Sequence, residues 1–411
     1  MTGSWAAALA EAANMAVFMN DDKAVSYSWE SDELKKIINS DFWSDQQQFF
    51  SYGKNRDGSF RHEPTVLPAV PIYFRVTDPG KAALCLKQYA GNAFTTDWGV
   101  RILREDSPWF KPTGYHYGSV WPLFTGWTSL AEYATGNYLQ GYAHLMNNLN
   151  IYKNWGLGFA EEVLNGAEYR PSGVCAHQCW SETMILQPAI EGMLGLYISA
   201  QENKLSLSPR LPAQWDSLNV KNIRIDSRLV DFNFSRLNDT AAGKPATSIS
   251  KFNFSLDQGK SLKMEFMPAF PPATQITKVT LNQKDIPFTV FKTGQAMTMI
   301  TAFELQSTAR LVVETKPGIS VLPAVSDPKP GDPAEGLRII STRFSVNRYQ
   351  VEVEGKSGTS GIVELYAPGR SITSAENARF IRREGSVFRF AVDFEQSVNK
   401  YGIKTITVNL N

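Results

Sequence analysis

The 411 residues carry 41 basic and 40 acidic side chains for a net charge of +1, so no electrostatic footprint points to nucleic acid or to an anionic membrane surface. Three cysteines, Cys85, Cys175 and Cys179, make no disulfide framework and assign no compartment, so localisation stays unknown at this level. The length accommodates two or three domains, and a neutral substrate suits the charge.

The first residues lack a basic region and reach Glu11 before any long apolar run, which is not a signal-peptide pattern. No stretch approaches the roughly 20 apolar residues of a membrane span, and the chain reads as soluble. Up to Glu202 the apolar period is helical, with runs over Trp5–Phe18, Ser31–Phe50, Gly80 onward, Val120–Tyr133, Tyr138–Tyr152 and Glu182–Ala200, about six helices. Pro188 is expected to kink the last of these or delay its start. Asp57-Gly58 is a turn signal, and Pro122 suits the first turn of a helix, where its missing N–H costs nothing.

After Leu205-Ser-Leu-Ser-Pro-Arg-Leu-Pro212 the period becomes two: Ile223 and Ile225, Phe232 and Phe234, Phe252, Phe254 and Leu256, then Leu311 and Val313 alternate with polar neighbours. A β-sandwich is expected over residues 203–322. Pro323 to Pro333 reads as a semi-rigid spacer, and the alternation resumes in a small all-β module over residues 334–411. The expected order is therefore a helical hairpin domain over residues 1–202, a β-sandwich, and an all-β module.

Two aromatic clusters stand out in the helical part. Gly114-Tyr-His-Tyr-Gly118-Ser-Val-Trp121-Pro122 precedes one helix, and Ala176-His-Gln-Cys-Trp180-Ser-Glu182 precedes another, following the acidic segment Gly158-Phe-Ala-Glu-Glu-Val-Leu-Asn-Gly166. Aromatic faces with polar handles suit sugar rings, although each taken singly serves core packing equally well. Together they are expected to form one sugar pocket, with Trp98 and Trp180 as stacking faces, Tyr115, His116, Tyr117 and Trp121 along the subsite, and Gln178 reaching a hydroxyl. Cys175-x-His177-x-Cys179 falls short of a zinc site, since His62, His116 and His144 show no paired spacing; buried loop thiols are expected instead. No Gly-x-Ser-x-Gly elbow, His-Glu-x-x-His pair or Walker-type loop occurs, which removes support for esterase, zincin and nucleotidase chemistry. No cofactor or metal is called for.

Asp57-Gly58, Thr96-Asp-Trp-Gly99-Val-Arg101, the Gly114–Pro122 cluster, Glu161-Glu162 with Gly166, Gln178-Cys-Trp-Ser181 and Gly192-Met-Leu-Gly195, taken in that order, resemble the (α/α)6-barrel, or six-hairpin, glycosidases. The similarity is greatest to the glycogen-debranching and α-glucosidase branches, with trehalases more distant. It covers roughly residues 1 to 225, and Leu207-Ser-Pro209 with Leu211-Pro212 and Trp215 resembles the start of the β-domain that follows such barrels.

The resemblance implies a catalytic base four residues before Gly166, at Glu162. Debranching enzymes usually carry proline where this chain has Glu161, so Glu161 is the neighbouring candidate. It also implies about twice the helices found here, and a general acid from a short acidic loop ahead of the Trp5–Phe50 run, a motif this sequence lacks. The chain is thus expected to be the C-terminal half of such a barrel, its partners being an oligosaccharide or glycoside and the missing N-terminal half. Glycoside hydrolysis pairs a protonated carboxyl with an ionised one, which in an inverting enzyme activates water across roughly 6.5–9.5 Å. The competing reading is a non-catalytic carbohydrate-binding or vestigial fragment, in which Glu161 and Glu162 are a solvated loop pair.

Overall fold

The computed structural model describes residues 1–156, 158–241, 246–334, 336–372 and 374–410. They form helices first and mostly strands afterwards, in two compact units. The first unit comprises residues 1–188 with residues 325–340, and the second comprises residues 189–324 with residues 341–411.

In the first unit, α1 (Thr2–Met19) and α2 (Ala24–Ser40) form a hairpin. Ala6, Leu9, Ala13 and Ala16 recur on one face of α1 at helical spacing, and three of them are alanines, so α2 approaches closely enough for Ser31 Oγ to donate to Ala6 O at 2.7 Å. The expected continuation of α2 to Phe50 does not form. Trp43–Ser44 pairs instead with Phe49–Phe50 around a turn in which Gln48 has φ 50° and Trp43 Nε1 donates to Asp45 Oδ1. A second short hairpin joins Gly53–Lys54 to Phe60–Arg61, with Asp57-Gly58 at its turn.

The helices α3 (Ala69–Tyr73) and α4 (Pro79–Tyr89) follow, the latter capped by Asp78 Oδ1, which accepts from the N–H groups of Gly80 and Lys81. Then come α5 (Pro122–Thr135), opening on proline as expected, and its hairpin partner α6 (Tyr138–Asn150). The final helix is α7 (Cys179–Gln187). A Cβ on Gly126 would lie 2.3 Å from Met184 Cβ, so glycine there is what lets α5 and α7 touch.

The expected helix to Ala200 also ends early. Pro188 offers no N–H and crowds the carbonyl four residues back, so the chain widens into a π turn over Pro188–Met193. Leu196–Ser199 is then a strand, paired antiparallel with Lys204–Leu207. Buried in the first unit is a polar chain in which Glu132 Oε2 lies 2.7 Å from His144 Nδ1 and His144 Nε2 lies 2.9 Å from Thr95 Oγ1.

The Pro-rich stretch is not a free spacer. Gly331 N donates to Tyr169 O, Tyr169 N donates to Asp332 O, and Ala334 packs with Trp98 and Tyr169. Buried Asp97 gathers this returning segment, accepting from Ser326 Oγ and Gly336 N and pairing with Arg338 Nη1 at 2.8 Å.

The second unit holds two six-stranded sheets with one shared core. Phe232, Phe234, Phe252 and Phe254 project from the first sheet, and Leu205, Met264, Phe266 and Met299 from the second; Phe252 meets Phe266 edge-on at 4.9 Å. These are the alternating residues read as half-buried strands. A four-stranded and a three-stranded sheet follow, with Val351, Val353, Phe388, Phe390, Ile406 and Val408 buried. No helix of the described residues is long and apolar enough to cross a membrane.

Candidate active site

The acidic segment crosses the first unit as a loop tied to its neighbours through backbone. Leu164 and Val120 exchange both backbone hydrogen bonds, Glu162 N donates to Cys175 O, and Gln178 N donates to Ala160 O. These bonds clamp the Glu161-Glu162 pair between the Gly114–Pro122 loop and the start of α7. The clamp is tight at the glycines: a Cβ on Gly166 would sit 1.9 Å from Gly118 O. Glu161 and Glu162 are 2% and 5% exposed, so they are not the solvated pair of an ordinary loop.

Glu162 turns toward the aromatic loop, where the Tyr115 O–H donates to Glu162 Oε1 at 2.5 Å. Burial, then this bond to a carboxylate, push the Tyr115 phenol up to about 12, so it remains a donor at any ordinary pH. Glu161 has other surroundings. Burial raises its carboxyl above the usual range, against the pull of backbone N–H groups, and its Oε2 has no hydrogen-bond partner. Burial holds the Tyr169 phenol above its ordinary value, with the Glu161 charge a lesser influence in the same direction.

The predicted aromatic residues divide. Tyr115, His116, Trp121 and Trp180 come together: Tyr115 packs edge-on against Trp121 at 4.4 Å, His116 stacks on Trp121 at 5.6 Å, and Trp180 lies 6.4 Å from Trp121. Trp121 is buried, with Nε1 donating to Tyr115 O, whereas His116 is exposed and Trp180 is 40% exposed. Gln178 caps α7 from a half-buried position, its carbonyl accepting from Ser181 N and Glu182 N. Tyr117, in the same loop, is exposed.

Trp98 is elsewhere. It is 1% exposed, stacked on Tyr169 and bonded through Nε1 to Asn165 O, so it is a core residue rather than an open face. Asp97 is likewise occupied with Arg338. The thiols correct a further expectation, since Cys179 is exposed at the start of α7 and half-buried Cys175 donates to His177 O. The sequence offered His177 only as a zinc ligand; it packs on Phe159 at 4.2 Å and lies 3.0 Å from Glu182 Oε1. No residue spacing announces that pair. Among the described residues no group of histidine, cysteine or acidic side chains could hold a metal ion.

Residues 1–165 match the family model of the mannosylglycerate hydrolase MGH1-like glycoside hydrolase domain. The matched stretch takes in Tyr115, His116, Trp121 and both acids and ends before Gln178 and Trp180. The match covers most of the helical part of the chain and none of the strand-rich part. No curated protein sequence matches. Among solved structures, a sialidase is 18% identical over 54% of this chain and 22% of its own, with a TM-score of 0.47. A GH63 mannosylglycerate hydrolase from Thermus thermophilus, in complex with glucose, is 16% identical over 45% of this chain and 46% of its own, with a TM-score of 0.40. A GH78 family rhamnosidase of Bacillus sp. GL1 is 15% identical over 61% of this chain and 24% of its own, with a TM-score of 0.41. The chain spans less than half the length of each of the three.

Proposed function

We propose that this chain is the base-carrying part of an inverting glycoside hydrolase acting on an α-linked glucoside or a related sugar, with Glu162 as the general base. The observation that carries the reading is the divergence of the two neighbouring acids. Glu162 takes the Tyr115 hydroxyl, whose ring packs with those of His116 and Trp121, whereas Glu161 is buried with Oε2 unpartnered. A base must be held toward its water, and the Tyr115 hydroxyl donating into the Glu162 carboxylate fixes its direction. Trp180 then offers an exposed face for a sugar ring, with Trp121 as the floor beneath it.

In the same proposal the helical unit is the C-terminal half of an (α/α)6 barrel, and the carboxyl that protonates the leaving oxygen comes from the other half. The substrate is an oligosaccharide or simple glycoside. The match of residues 1–165 to a glycoside hydrolase family model supports the class of reaction but not the sugar.

The test is hydrolysis of a glycoside panel by the protein expressed from the complete gene, with the anomer of the product followed by NMR. Glu162→Gln should lower turnover at least about a hundredfold, the usual worth of a general base, while sugar binding persists. Near-normal turnover in that variant with loss in Glu161→Gln would move the base by one residue. A parent protein that binds sugars of the panel and cleaves none would replace catalysis by simple carbohydrate binding.

A further inference from the structure

We propose that the outer face of the first six-stranded sheet carries a second carbohydrate site, a groove that takes a neutral glycan chain independently of the Glu162 cleft. The groove encloses about 500 Å³ and is lined chiefly by Asn219, Asp231, Asn233, Asn253, Asn282 and Arg310. Four of these stand directly opposite one another on adjacent strands, since Asn219 pairs with Asn233, Asn233 with Asn253, and Asn253 with Arg310. The alternating residues Phe232, Phe234, Phe252 and Phe254 enter the core, so the amides project from the other face.

This row runs against what a strand prefers. Asparagine is depleted in strands on a scale of about 1 kcal/mol, and three in mid-strand form one unbroken row. Places where a sequence overrides local preference without an evident structural return are where function is found. The structural return is small. Asn253 Nδ2 reaches Asn233 Oδ1 only at 3.4 Å, the long end of a hydrogen bond. Elsewhere Asn282 Oδ1 accepts from Arg310 N and Asp231 Oδ1 from Asn222 N, each at 2.9 Å. Among the described residues the Asn219 amide and the Arg310 guanidinium have no side-chain partner. The row thus presents unused donors and acceptors side by side, and an amide offers both.

The chemistry selects the occupant. A sugar hydroxyl both donates and accepts, which matches a row of amides flanked by one carboxylate and one guanidinium whose charges offset. Nucleic acid needs several cations, and among the described residues that line the groove Arg310 is the one cation. An added peptide strand docks at a sheet edge rather than a face.

The test is native electrophoresis through gels containing soluble neutral polysaccharides (glycogen, galactomannan, xylan, mixed-linkage β-glucan), with calorimetry on the matching oligosaccharide. At least one should retard the protein. Asn233→Thr with Asn253→Thr, which installs a better strand former and should leave the thermal midpoint unchanged, should weaken binding at least tenfold. Trp180→Ala, which touches only the cleft, should keep the retardation. Should the threonine pair lower the midpoint, Asn219→Ala and Arg310→Gln at exposed positions must each weaken binding for the site to stand. Retardation by no polysaccharide, by anionic ones alone, or retardation lost in Trp180→Ala and kept in the threonine pair overturns the proposal.

Discussion

Glu161 and Glu162 differ by one position in the chain and by an entire environment, which gives Glu161 a signature of its own. Its carboxyl is raised because burial penalises the charge and Oε2 finds no partner. In the unfolded chain it titrates near the ordinary value of about 4.3. Between that pH and the raised folded value the native state holds more protons than the unfolded one, so this group's contribution to stability is present in acid and lost as pH rises. Glu161→Gln removes the charge and keeps the shape. It should match the parent near pH 4 and unfold about 2–4 °C higher at pH 7, the response of a domain this size to ~1 kcal/mol. Thermal midpoints across that range check this, and a variant less stable than the parent at pH 7 would show that Glu161 stabilises the fold as an ion.

At the scale of elements, the cleft depends on two loops held together by backbone, and Gly118 and Gly166 are where they press closest. Gly166→Ala puts a methyl against Gly118 O, and backbone cannot rotate out of the way as a side chain can. The expected cost is about 1–3 kcal/mol, with a fall in turnover as Glu162 leaves Tyr115. Unchanged stability and unchanged turnover would show that the pairing of Val120 with Leu164 does not position Glu162.

Much of this arrangement was legible. The helical runs carried α1, α5 and α6 because amphipathic period and a leading proline are local signals, and alternation carried the Phe232 and Phe252 strands for the same reason. The turn at Gln48 and the strand at Leu196 were not legible, because each belongs to a local hairpin whose strands, Trp43–Ser44 with Phe49–Phe50 and Leu196–Ser199 with Lys204–Leu207, are too short for alternation to show. Trp98 was misread because an aromatic beside a glycine looks alike in a cleft and in a core; only its stacking on Tyr169 separates them.

At the scale of the whole chain, continuity in sequence and continuity in fold part company. The chain leaves the helical unit after Pro188 and returns to it at Val325, bringing Arg338 to Asp97. Both side chains are buried, Arg338 Nε also donates to Asn92 Oδ1, and the amide of Gln140 donates to Ile339 O. A proline-rich composition signals stiffness but says nothing about where a stiff segment lies, which is why this one reads as a spacer. Replacing Arg338 with methionine keeps the apolar stem and strands the Asp97 carboxylate, a change worth about 3–5 kcal/mol when a buried pair loses one partner. Arg338→Met combined with Asp97→Asn should cost less than the sum of the two singly, the mark of side chains that act on each other. The checks are chemical denaturation of the three variants and proteolysis within residues 1–188, which should quicken in Arg338→Met. An Arg338→Met protein within ~0.5 kcal/mol of the parent, the range of an ordinary surface change, would reduce the returning segment to a tether.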